Sequence, residues 1–208
     1  MSEVNFRVGT ASDKEKVAKF MKKYFWVGEP ICKSENLEVS DDVNNEAVSI
    51  LDLGTCTIAE DNSGNLVGIR LAEPRVPEDV EKKKVEKPET TLDKLGRLVY
   101  DLAIGSKVFE TYKVDKAMYS AALVVDEKYR GKGLGKRLYE ENMKLAKDLG
   151  YPIYVCDCTS AFSAKACANL GFTEIFEIVF SEYKDGSGKP VLKPDPPHNR
   201  AVVYVKVL

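Results

Sequence analysis

Histidine and tryptophan each occur once in this 208-residue chain, and no apolar run approaches the length of a membrane span. A metal centre built without histidine would need scattered cysteines and carboxylates, so with only His198 available no metal is expected. A bilayer-crossing helix needs roughly 20 consecutive apolar residues, so no membrane contact is expected either. The charge is nearly balanced, 31 basic against 33 acidic residues for a formal -2. That leaves no basic excess to attract nucleic acid. The first residues carry no basic leader before an apolar stretch, which argues against a secretory signal. The five cysteines, at 32, 56, 156, 158 and 167, are odd in number and widely spread. They fit reduced thiols in the cytoplasm better than a disulfide framework.

What is present is core material. Apolar residues make up 44% of the chain and charged residues 31%, enough for one substantial core. The length is about 1.4 times a typical domain of roughly 150 residues. No flexible linker divides it, so residues 1–208 read as one α/β domain, a mixed central sheet flanked by helices.

Period-two stretches predict strands at 5–8, 55–60, 66–72, 119–125, 151–157, 172–180 and 201–207. Turn formers at Asp61–Asn65 make the second and third of these a hairpin. Helical spacing marks 12–25, with Thr10 or Ser12 as its cap, then a segment after Ser40. It also marks 90–109, 134–149 and 160–169. The chain turns sharply at Val27-Gly28-Glu29-Pro30, and the charged run 79–87 reads as a solvated loop or exposed helix.

The strongest local signal follows the 119–125 strand: Arg130-Gly131-Lys132-Gly133-Leu134-Gly135, leading into an amphipathic helix. Glycines there permit unusual dihedrals, and the helix start offers unpaired amides and positive dipole potential to a phosphate. Lys132, Lys136 and Arg137 add attraction, while Leu134 and Leu138 face the core. A glycine-rich strand-to-helix turn also forms without any ligand. The segment does not supply GxxxxGK[ST], and its GxGxG spacing, beyond mid-chain, is not the dinucleotide fingerprint.

This segment resembles the acyl-CoA signature [Arg/Gln]-x-x-Gly-x-[Gly/Ala] of the GCN5-related N-acetyltransferase (GNAT) superfamily. Ala122-Leu123-Val124-Val125-Asp126 is similar to that superfamily's central strand, and Ala168-Asn169-Leu170-Gly171-Phe172 to a later element. Phe25-Trp26-Val27-Gly28-Glu29-Pro30 and the Pro-His segment at 193–198 resemble insect arylalkylamine N-acetyltransferases and related proteins. The chain departs from that branch at Ile31-Cys32, where Leu-Asn is usual, and at Thr159, which takes one position of a Ser/Ser pair.

The resemblance implies a single GNAT-like domain that uses acetyl-CoA as cosubstrate. It implies that Leu123, Val124 and Val125 hold the pantetheine arm. Arg130, Gly131, Lys132, Gly133, Leu134, Gly135 and Lys136 would then bind the pyrophosphate. Glu29 would take a proton from the amine, as a positioned carboxylate can. Ser163 would face the departing thiolate, with Thr159 in a weaker polar role, unless both merely cap and bond local backbone. Tyr24, Phe25, Trp26, Glu29 and His198 would line the acceptor pocket. The aromatic residues could equally pack the helix, and His198 could equally be structural.

The expected acceptor is a small primary amine such as dopamine, serotonin, octopamine or tryptamine, acetylated directly in a ternary complex. The thiols give no support to an acetyl-cysteine intermediate, because no base is paired with them. Acetylation of a polyamine or agmatine, acetylation of protein N-termini, and a noncatalytic acyl-CoA sensor are the alternatives. A monomer is expected, with a homodimer left open.

Overall fold

The computed structural model describes residues 4–82, 85 and 88–208. Its elements follow the predicted alternation. They are β1 (Val4–Val8), α1 (Lys14–Tyr24), α2 (Pro30–Ser34), α3 (Asp41–Val48), β2 (Thr57–Asp61) and β3 (Leu66–Arg75). Then come α4 (Pro77–Lys82), α5 (Thr91–Ser106), α6 (Val108–Tyr112), β4 (Ala117–Val125) and α7 (Leu134–Asp148). The chain finishes with β5 (Ile153–Cys158), α8 (Ala161–Asn169), β6 (Thr173–Val179) and β7 (Arg200–Val207).

The strands form a seven-stranded sheet in the order β1-β2-β3-β4-β5-β7-β6. Neighbours are antiparallel except the central pair, β4 and β5, which runs parallel. One face carries α1, whose Val17, Phe20 and Met21 pack on Ile58, Ile69, Leu71 and Val124. Leu98 and Leu102 of α5 cover Ala117, Val155 and Val203 on that face too. The other face is covered by α7, with Leu134 and Leu138 against Ala59 and Val67. Cys167 of α8 packs there with Tyr154 and Val202.

Several boundaries differ from the sequence reading. The third strand runs on through Pro74, opposite Met118, to Arg75, a position a proline tolerates near a strand end. The long helix is interrupted at Lys107, which takes φ 45 between α5 and α6. Thr10 caps the single turn Ala11–Asp13 that leads into α1, as expected, and does so in a reciprocal capping box. The Asp13 carboxylate accepts the Thr10 amide at 2.9 Å and is itself clamped by Arg7 at 2.6 and 2.8 Å. The short α2 was not anticipated, although Pro30 at a first helical position is a standard start signal. Of the charged run 79–87, its beginning lies in α4, while Lys83, Lys84, Glu86 and Lys87 fall outside the described residues. Among the described residues no helix is long and apolar enough to cross a membrane.

Candidate active site

The central parallel pair does not stay paired. Met118–Ser120 runs beside Tyr154–Cys156, and beyond that register β4 and β5 diverge. On its other side β4 remains bonded to β3 as far as Val125 opposite Gly68. The register slips at Leu71/Ala72, which face Ala122 and Ser120, so Ala121 is an extra residue in β4. Such a bulge bends a strand and increases its local twist. The result is a cleft between two central strands, and Ala121 is exposed in mid-sheet. Leu123, Val124 and Val125 form the strand end that borders it, with the Val124 side chain buried toward α1.

The glycine turn closes the far end of this border. Gly131 and Gly133 have φ 72 and 80, and a Cβ on either would meet nothing within 4 Å, so both open outward. Gly133 caps α7, where the Arg137 amide closes the first turn on its carbonyl at 3.1 Å. The amides of Leu134, Gly135 and Lys136 therefore precede the helical ladder. This cradle fits an anionic pyrophosphate. Arg130 ties the turn to the strand, its Nε donating to the Val125 carbonyl at 3.1 Å. Lys132 and Lys136 are exposed, but both have local partners. Lys132 Nζ donates to the Lys128 carbonyl at 2.7 Å, and Lys136 stands 3.6 Å from Glu140.

Glu29 approaches from the opposite layer. It caps α2, with Oε2 accepting the Cys32 amide at 2.7 Å, and is only 7% exposed. Its Oε1 accepts from the Thr159 hydroxyl at 2.9 Å. Thr159 directly follows β5, so one hydrogen bond joins the α1–α2 corner to the strand that borders the cleft. Burial, followed by the Glu29 charge, pushes the neighbouring Cys32 thiol up to about 12.

Ser163 does not join this bond. Its hydroxyl donates to the Ser160 carbonyl at 2.9 Å, while Ser160 caps α8. Local backbone bonding therefore describes Ser163 but not Thr159. His198 Nδ1 accepts the Ala161 amide at 3.1 Å, pinning the C-terminal rim to the start of α8. Burial lowers the His198 pKa, with the Glu29 charge opposing, so the imidazole is neutral near pH 7 and its proton is on Nε2. The ring stands edge-on to the exposed Phe162.

The aromatic trio separates. Tyr24 donates to Asp126 at 2.7 Å, at the end of β4. Trp26 donates to Asn44 at 2.7 Å and meets Phe25 edge-to-face. Phe25 and Trp26 line a cavity of about 470 Å³ with Met21, Glu46, Glu73 and Ala121. Glu29 is not part of its lining, but the Glu29 amide donates to the Phe25 carbonyl at 2.8 Å, so both belong to the same helix end. Asn44, Glu46 and Glu73 escaped the sequence reading, because only the fold brings them beside Phe25 and Trp26.

A splayed parallel pair, a bulged strand and a glycine-rich helix start together define an acetyltransferase of the acyl-CoA-binding kind. Residues 32–172 match the acetyltransferase (GNAT) family, and the chain belongs to it. Its structure is similar to that of the mosquito arylalkylamine N-acetyltransferase like 5b, at 28% identity over 99% of this chain and 100% of that one, with a TM-score of 0.90. Arylalkylamine N-acetyltransferase 2 from Aedes aegypti is also 28% identical, over 99% of each chain, with a TM-score of 0.91. The Drosophila melanogaster polyamine N-acetyltransferase, which forms N-acetylagmatine, is 25% identical over 99% of this chain and 100% of that one, with a TM-score of 0.90. The fold is thus that of an acetyl-CoA-dependent N-acetyltransferase close to both arylalkylamine and polyamine enzymes.

Proposed function

We propose that this protein acetylates a small primary amine, most readily an arylalkylamine such as dopamine, serotonin, octopamine or tryptamine. The observation that carries the reading is the buried Glu29 carboxylate, joined to Thr159 at the edge of the cleft. Acetyl-CoA, when bound, supplies an activated acetyl thioester. The backbone of Leu123, Val124 and Val125 would line its pantetheine arm. The turn from Gly131 through Lys136 would hold the pyrophosphate, with Arg130, Lys132 and Lys136 adding positive charge.

Glu29 then has two tasks. It attracts the incoming ammonium and removes a proton to give the nucleophilic amine. Thr159 orients that carboxylate. Ser163, whose hydroxyl is bonded to the Ser160 carbonyl, would face the departing sulfur only by turning away from that bond. Phe25 and Trp26 give the cavity an apolar wall suited to a ring, and Tyr24 holds that corner to β4 through Asp126. His198 shapes the rim.

A second reading has its own observation. Glu46 also lines the cavity, beside a Glu73 already paired with Arg75 at 2.7 Å, and a carboxylate away from the base suits a second positive charge, as in agmatine or a polyamine. An acetyl-CoA assay across arylalkylamines, agmatine and diamines, followed by product mass, separates the two. The first reading predicts the highest kcat/KM for an arylalkylamine. A higher value for agmatine or a diamine would transfer the assignment to the second.

A further inference from the structure

Behind the cleft lies a polar cluster that acetyl transfer does not use. Arg70 of β3 is 2% exposed. Its Nε donates to the Tyr154 hydroxyl at 3.2 Å, a terminal nitrogen lies 3.3 Å from Cys156 Sγ, and its guanidinium stacks 3.8 Å above the Tyr139 ring. None of these partners is a carboxylate. A buried cation without a counter-charge is costly, and the groups gathered here that can ionise are thiols and phenols. Cys167 Sγ lies 3.6 Å from Cys158 Sγ and 3.3 Å from the Tyr139 hydroxyl.

We propose that Cys158 and Cys167 are a modification site, a dithiol that a hydroperoxide converts reversibly to a disulfide. The two sulfurs need to close by only about 1.5 Å to reach bonding distance. Bonds from the Cys156 and Cys158 thiols, with Tyr139 and Arg70 assisting, lower the Cys167 pKa against the effect of burial. Cys158 is raised, first by its bond to Cys167 and then by burial. Cys167 is therefore the thiol of the pair that ionises more readily, and the thiolate is the form that attacks peroxide.

Its sulfur bonds to one oxygen of hydrogen peroxide as the O–O bond breaks. The released hydroxide takes the Cys158 proton and becomes water. The Cys158 thiolate then attacks the Cys167 sulfenic sulfur, and the second hydroxide leaves and takes a proton from solvent. Two thiols are oxidised by two electrons, and one peroxide is reduced to two waters. Cys158 and Cys167 are both buried, so peroxide, close to water in size, must reach them from the end of β5, where the strands have splayed.

The link has a structural consequence. Thr159 follows Cys158 directly, so drawing Cys158 toward α8 displaces the hydroxyl that holds Glu29.

The test uses the full chain, reduced, treated with hydrogen peroxide, alkylated and mapped by mass spectrometry without reduction. The expected product is a Cys158–Cys167 cross-linked peptide, lighter by two hydrogens and restored by dithiothreitol. The Cys56→Ser variant, altered outside the cluster, should give the same link in similar yield. In Cys158→Ala, Cys167 should accumulate as a sulfenic acid trapped by dimedone. Mapping does not depend on any transferase activity. Where that activity is measured, the linked form should be roughly fivefold slower, the worth of one hydrogen bond. Cross-links confined to other cysteines, or Cys158 and Cys167 both recovered as thiols or sulfinic acids, would overturn the proposal.

Discussion

Thr159 and Ser163 stand four residues apart, and their hydroxyls have different partners. Thr159 reaches to Glu29 at the edge of the cleft, whereas Ser163 turns back to Ser160. Replacing Thr159 with Val keeps the shape and removes the donor. Thr159→Val should lower kcat/KM roughly fivefold, the effect of losing one hydrogen bond, while leaving CoA binding unchanged. Calorimetric CoA binding beside steady-state kinetics checks both halves, and unchanged kinetics would remove Thr159 from the site. Glu29 itself was legible in the sequence because Glu-Pro after an aromatic helix is a local pattern. Its partner was less so, since the bond to Thr159 spans 130 positions and depends on where the sheet places β5. The cavity carboxylates Glu46 and Glu73 have no local signature at all.

At the scale of elements, the glycine turn and the two ends of the sheet give separate tests. Gly133 holds a left-handed conformation in open space, so Gly133→Ala adds backbone strain without a clash. About 1 kcal/mol of strain is expected, read as a lower melting temperature together with weaker CoA binding. Unchanged CoA affinity would argue against the turn as the pyrophosphate site. Gly105 answers to packing instead. A Cβ there would stand 2.2 Å from the Phe176 ring, which α5 covers, so Gly105→Ala should destabilise by about 1–3 kcal/mol in denaturant unfolding. No loss would contradict that close approach.

The β1–α1 junction gives a pH test. The Arg7 hydrogen bonds, opposed by burial and helped by Thr10, hold the Asp13 carboxyl down to about 2, below its ordinary 3.8. The folded chain therefore takes up this proton less readily than the unfolded chain. The stabilisation is complete above about pH 4 and is lost as pH falls through about 2. Asp13→Asn should flatten the fall in melting temperature across that window, and an equally steep fall in the variant would exclude this pair as its source. Strand and helix order was readable from periodicity. The return half of the Thr10 capping box, in which Asp13 accepts the Thr10 amide, was not, because Arg7 fixes that carboxylate from the neighbouring strand.

For the whole molecule, the working feature is a sheet that stays continuous at one end of its central pair and opens at the other. The sequence pattern revealed both strands and the glycine turn, but not their divergence, which follows from the bulge at Ala121 and from pairing on either side. In the proposed reading the opening would give the donor a border of strand backbone, and the α1–α2 corner brings Glu29 against Thr159 at the end of β5. The central claim is that this carboxylate performs proton removal for acetyl transfer to a small amine. The most direct measurement compares wild type with Glu29→Gln for acetylated-amine formation near neutral pH, with CoA binding measured on the same samples. The account predicts unchanged CoA affinity and a kcat/KM lower by about 10²–10⁴ in the variant. Equal turnover in both proteins, or tight CoA binding by wild type with no acetylated product from any amine, would contradict it.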